Sequence, residues 1–149
     1  MMQKSEKQKI SSPWLVFHFG AGVLLVFVAI AILLTASRID DLIPIIIFGL
    51  PGAWLVFRVP VCGVYIDSSG VVYKGLLVRS RAASWAEVRG VSKGVVGGEL
   101  APSYFPVIEL DSEKTIELMV IAGYGVDNER IGDAIASLDR ALQKYGAGT

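Results

Sequence analysis

Five residues, Ser37-Arg38-Ile39-Asp40-Asp41, are all that separate two long apolar runs, Trp14 to Ala36 and Leu42 to Phe57. No other feature constrains this chain as much. A helix needs about 20 apolar residues to cross a hydrocarbon core of about 30 Å, and the first run meets that length without a charged residue. Backbone polar groups in lipid find no water, so the run must satisfy them internally as a helix. Trp14 at its start suits the headgroup level, where aromatic side chains collect. A cleaved signal peptide competes with this reading, because Lys4, Lys7 and Lys9 precede the run and Thr35-Ala36-Ser37 resembles a small-residue cleavage site. Signal h-regions span roughly 7–15 residues; this run is longer, and a second one follows at once.

The second run contains Pro44 and Pro51. Pro44 falls in the first helical turn if Asp41 is the N-cap, where the missing N–H costs little. Pro51, followed by Gly52, predicts a kink that a neighbouring helix must cover. The short connection makes the two helices an antiparallel hairpin, with spans at about 14–36 and 42–58 inside a segment 14–59. The basic residues Lys4, Lys7, Lys9 and Arg58 flank the hairpin, while the loop has Arg38 beside Asp40 and Asp41. Basic flanks stay cytoplasmic, which predicts a multi-pass protein with both termini inside. Arg58 can snorkel and lengthen the second span to about Val61.

Two residues invite chemistry and have plainer explanations. His18 is the only histidine. It reads either as an intramembrane relay or ligand or as a neutral ring bonded to a backbone carbonyl or a headgroup. No acidic residue lies within either span to partner it. Cys62, the only cysteine, rules out an intrachain disulfide and a cysteine-built metal site; it reads as a lipidation site or a small apolar linker residue. Gly20, Ala21, Gly22, Gly49, Gly52 and Ala53 permit close helix approach, although their spacing is not GxxxG.

The rest of the chain is one small domain, about 63–146, and a polar N-terminal tail, 1–13, of which Met1 to Ser12 reads as disordered. From Gly63 to Thr149 there are nine Lys/Arg and eleven Asp/Glu. That balance excludes the basic face that nucleic-acid binding requires. Val59 to Gly63 is too short to hold the domain far from the bilayer.

Apolar alternation predicts short strands at Val64–Ile66, Val71–Tyr73, Leu76–Val78, Val88–Val91, Phe105–Leu110 and Thr115–Ile121,. Gly94 and Gly97-Gly98 bracket a loop-rich section around Val95-Val96. Asp127 or Asn128 caps a helix to about Tyr145. Ile131, Ala134, Ile135, Leu138, Ala141, Leu142 and Tyr145 form its apolar face,. The fold class is therefore a membrane α-helical hairpin plus an α+β domain. That domain is an antiparallel sheet or barrel of about seven short strands, closed by a C-terminal amphipathic helix.

Gly63-Val64-Tyr65-Ile66-Asp67-Ser68-Ser69-Gly70-Val71, followed by Ser84-Trp85-Ala86-Glu87-Val88, resembles bacterial membrane proteins with pleckstrin-homology-like (PH-like) domains. In those families a strand ending in an Asp–Gly turn precedes a tryptophan and an acidic residue, often after two transmembrane helices. The resemblance implies a PH-like fold on the inner membrane, a module of largely undefined role and not an enzyme. Lipid-binding PH-like domains carry basic residues in the first hairpin, whereas the turn here is Asp67-Ser68-Ser69-Gly70.

Catalysis requires a nucleophile with a base, paired carboxylates or metal ligands. The sequence offers none of these, and no cofactor or metal is expected. Candidate headgroup or partner contacts are Lys74, Arg79, Arg81, Tyr104 and Phe105. The leading expectation is a membrane-anchored binding or scaffold module that engages a protein partner or a copy of itself. Two alternatives stand beside it: an accessory subunit held through the hairpin, and recognition of anionic lipid by Lys74, Arg79 and Arg81.

Overall fold

The apolar runs do form two helices. In the computed structural model, which describes residues 7–77, 80–97, 102–125 and 128–146, α1 is Trp14–Thr35 and α2 is Leu42–Arg58. A single 3-10 turn, Ile39–Asp41, joins them, and another, Val59–Val61, extends α2. The helix Trp14–Thr35 and α2 with its extension, Leu42–Val61, are long and apolar enough to cross a membrane. Phe17, Phe27, Leu34, Leu50 and Phe57 are exposed, a surface suited to lipid rather than water. Pro44 lies in the first turn of α2, and Pro51 lies within a helix that continues on both sides of it.

The two helices meet where neither has a side chain. Gly22 and Gly52 are both buried. A Cβ added at Gly22 would lie 2.7 Å from Leu55 Cβ and 3.1 Å from the Gly52 carbonyl. One added at Gly52 would lie 2.9 Å from Leu25 Cβ and 3.0 Å from the Gly22 carbonyl. Backbone-to-backbone approach maximises dispersion contact where no hydrophobic effect operates between helices in lipid. Of the small residues, Gly22 and Gly52 are thus used inside the hairpin, whereas Gly20 and Ala21 are exposed.

The chain forms two compact units: Pro13–Cys62, and the described residues before Pro13 together with those from Gly63 onward. In the second unit the first sheet has the order β1-β2-β3-β4, all antiparallel. Its strands are Gln8–Ile10, Gly63–Asp67, Gly70–Lys74 and Arg81–Ser84. The second sheet contains β5 (Val88–Val96), β6 (Ser103–Leu110) and β7 (Thr115–Glu117), and β8 (Gly123–Tyr124) also pairs with β6. Helix α3, Glu129–Tyr145, closes the unit. One core joins Val64, Ile66, Val71 and Tyr73 of the first sheet to Ile108 and Ile116 of the second and to Ala134, Leu138 and Ala141 of α3.

Several expectations need correction. The tail is not wholly disordered, because Gln8–Ile10 pairs antiparallel with Tyr65 and its neighbours, Gln8 opposite Ile66 and Ile10 opposite Val64. This covers the edge of β2, whose unpaired backbone groups would otherwise be exposed, and brings Ile10 against the core. Leu76 and Leu77 bend instead of forming a strand, and Val78 lies outside the described residues.

Val95 and Val96 continue β5 past Gly94, because the missing side chain there makes room for the Phe105 ring opposite it. An added Cβ would lie 2.6 Å from that ring. The strand predicted at Thr115–Ile121 stops at Glu117, and a 3-10 turn over Met119–Ile121 follows. Its three-residue period lets Leu118 and Ile121 both bury,.

Nor does a barrel form. Among the described residues β4 and β5 are not paired. A 3-10 turn at Trp85–Glu87 separates them and directs Trp85 into the core instead of the ladder, with 3% of its surface exposed.

Candidate functional site

The Asp–Gly turn and the tryptophan that carry the family resemblance meet in space. Asp67 Oδ1 accepts hydrogen bonds from the Ser69 N–H at 2.8 Å, from the Ser69 hydroxyl, and from the Gly70 N–H at 3.2 Å. The Ser69 hydroxyl bond holds the Asp67 carboxyl below its ordinary range. Burial opposes it as the next-largest effect, and the two backbone bonds and Lys7 add smaller lowering effects. Trp85 Nε1 donates to the Asp67 carbonyl at 2.7 Å, so the indole locks the turn to the next structural element. Glu87 accepts from the Ser84 N–H at 2.9 Å and from its hydroxyl at 2.8 Å, the reciprocal arm of a capping box. The backbone bond first, then the hydroxyl, lowers the Glu87 carboxyl below its ordinary range. This constellation is a structural staple, and both carboxylates are occupied in turns.

The cations expected to act together are separated. Lys74 shares the outer face of the first sheet with Tyr65 and lies 5.1 Å from its ring centre; Lys9 lies 5.5 Å from the same ring. Arg81 instead sits opposite buried Tyr73 in register. Its Nη1 reaches the Thr115 carbonyl on the second sheet at 3.5 Å. Arg79 lies outside the described residues.

Phe105 and Tyr104 part company as well. Phe105 is in the core, 3% exposed, so its ring is under the surface and unavailable for contact. The adjacent Tyr104, on the opposite face of the strand, is half-buried with Lys93 4.7 Å from its ring centre.

Tyr104 lies in a patch that sequence reasoning missed. Val95 pairs with Tyr104 and Val96 with Ser103, while Ser103 pairs in turn with Tyr124. Val95, Val96 and Tyr124 are exposed by 60%, 47% and 64%. Alternation puts Val95 and Tyr104 on one face and Val96 and Tyr124 on the other. The tip of the second sheet is therefore apolar on both faces. The sequence signal was available in two valines between glycines, but it reads as loop until pairing with β6 is known.

Elsewhere the plain readings suffice. His18 Nδ1 contacts the Trp14 carbonyl at 2.7 Å, one turn back in α1. A carbonyl only accepts, so Nδ1 carries the proton. Cys62 is fully buried and its S–H donates to the Arg58 carbonyl at 3.3 Å, whereas lipidation needs an accessible sulfur. Asn128 stands at the N-cap of α3, yet its side chain donates to the Tyr124 carbonyl at 3.1 Å; Asp127, the other expected cap, lies outside the described residues. Among the described residues no group of three or more His, Cys, Asp or Glu is placed to hold a metal ion. No protein-family model and no curated protein matches this chain.

Proposed function

We propose that this chain is a membrane-anchored, non-catalytic PH-like binding module at the cytoplasmic face of a bacterial inner membrane, engaging a protein partner or a second copy of itself. The observation that carries the reading is the apolar tip of the second sheet. Val95, Val96 and Tyr124, beside Tyr104, leave exposed the kind of aliphatic and aromatic surface that interface cores use.

The placement draws support from the pairing of β1 with β2. β1 precedes α1 and β2 follows α2, so their pairing favours a hairpin with both ends on one side. Lys7 and Lys9 at that end favour the cytoplasm. The hairpin as a docking element for a larger complex has less support, because Gly22 and Gly52 already serve the contact between α1 and α2. Lipid recognition by Lys74 and Arg81 has less support too, because the two point away from a shared face.

The test is a photoreactive residue in place of Tyr124, irradiated in intact membranes and followed by mass spectrometry. A reproducible crosslink to one protein, or to a second copy, supports the module. Crosslinks to lipid alone overturn it. Orientation is checked by a cysteine at Lys144 in a Cys62→Ser background. An impermeant maleimide should label it only after the cells are opened.

A further inference from the structure

Where α3 passes β2, the domain has an open groove of about 580 Å³, within the range of small-ligand sites. Three cations line it from two separate elements: Lys7, just before β1, and Arg140 and Lys144 on α3. Among the described residues Asp67 is the one carboxylate on the lining, and these lining residues carry a net charge of two positive (three cations less one anion). Its Oδ1 is already engaged by Ser69 and Gly70.

Arg140 and Lys144 stand four residues apart on α3, a spacing at which like charges destabilise a helix. The helix dipole accounts for only part of this arrangement. It favours cations in the last turn and fades beyond it, so it explains Lys144 but neither Arg140 nor Lys7. Arg140 is also held in place, Nε on the Ala136 carbonyl at 3.1 Å and Nη2 on the Ser137 hydroxyl at 3.3 Å. That leaves the rest of its five donors for a ligand.

We propose that this groove binds a phosphate group, with Lys7, Arg140 and Lys144 supplying the counter-charge. Two neighbouring positive charges beyond the single carboxylate suit a doubly charged oxyanion, and the planar guanidinium matches its oxygens in pairs. The phosphate comes either from a lipid headgroup or from a free phosphate ester. The groove shares no residue with the sheet tip, so this inference stands or falls apart from the partner reading.

The test uses the full chain in phosphatidylcholine nanodiscs. Its unfolding midpoint is followed against sodium phosphate, with sodium chloride at matched ionic strength as the blank. A parallel series replaces part of the lipid with phosphatidic acid. The expected result is stabilisation by phosphate, by phosphatidic acid, or by both. The apparent affinity should be weakened about tenfold or more by Arg140→Ala/Lys144→Ala, as the loss of a charge-assisted contact implies. It should be unchanged by Lys114→Ala, a cation in the β6–β7 turn.

A response to free phosphate alone identifies a soluble ligand, and a response to phosphatidic acid alone identifies a headgroup. Lys7→Gln, on a different element, repeats the test if the double variant does not fold. No response to either probe, or the same response in the wild type and the groove variants, overturns the proposal.

Discussion

Trp85 and Asp67 are 18 residues apart and joined by one hydrogen bond, the indole Nε1 donating to the Asp67 main-chain carbonyl at 2.7 Å. Trp85 also stacks on Tyr145 near the end of α3, ring centres 6.5 Å apart. One side chain thus ties the β2–β3 turn to the last turn of the closing helix. Trp85→Phe keeps most of the apolar volume and leaves that carbonyl without its donor, which costs about 1–3 kcal/mol. Trp85→Ala adds a cavity and costs about 3–5 kcal/mol. Denaturant unfolding of the full chain in detergent, followed by near-ultraviolet circular dichroism, should rank wild type, Phe and Ala in that order.

Asp67 makes stability depend on pH in a defined direction. Its folded pKa lies below the ordinary 3.8. Its contribution is therefore complete above that value and is lost as pH falls through the lower folded value. Asp67→Asn keeps a carbonyl oxygen for the turn and removes the charge. The wild type should lose stability more steeply than the variant below about pH 4, and the two curves should run parallel near neutrality. Acid unfolding curves of the two proteins decide the point; coincident slopes would contradict it.

The helical hairpin depends on two glycines and not on a third. Gly22→Ala and Gly52→Ala each force a Cβ into the facing helix, at 2.7 Å and 2.9 Å from its nearest neighbour. The cost is about 1–3 kcal/mol, as for overpacking elsewhere. Gly20→Ala meets nothing within 4 Å and gains helix propensity. Thermal unfolding in detergent, read by far-ultraviolet circular dichroism, should show losses for the first two and none for the third.

Gly94→Val tests why β5 is long. Its side chain would collide with the Phe105 ring and with Val107, each 2.6 Å from the Cβ position. The expected loss is about 1–3 kcal/mol, with faster amide exchange in Lys93–Val96 than in the wild type. Gly90→Ala, which meets nothing within 4 Å, should leave both readings unchanged.

Local pattern was enough for the features set by composition and period. The lengths of α1 and α2, the β2–β3 hairpin around Asp67-Ser68-Ser69-Gly70, and the apolar stripe of α3 are each written within one contiguous stretch. Ile131, Ala134, Leu138 and Ala141 recur at helical spacing and are the buried residues of α3.

Whatever depended on a distant partner was not legible. Gln8–Ile10 has no strand signal of its own and becomes a strand because the edge of β2 offers unpaired backbone groups. Gly94 reads as a breaker until Phe105 occupies the space it leaves. Lys74 and Arg81 look like one cluster along the chain, yet strand alternation and register set them on opposite faces. Tyr104 and Phe105 are adjacent in sequence, and the same alternation sends one outward and buries the other.

The candidate sites divide in the same way. Tyr104 stood out in the sequence beside two prolines, but Val95, Val96 and Tyr124 join it only through β6 pairing. The phosphate groove draws on Lys7, Arg140 and Lys144, more than a hundred residues apart at the extremes, and no spacing rule unites them. By itself the sequence determined the two apolar helices, the hairpin turn and the amphipathic face of α3, because hydrophobic burial and helix or strand period act on neighbours in the chain. Only the tertiary structure decided which edges are covered, which faces are shared and which charges converge, because those depend on register and packing between segments that the chain brings together only on folding.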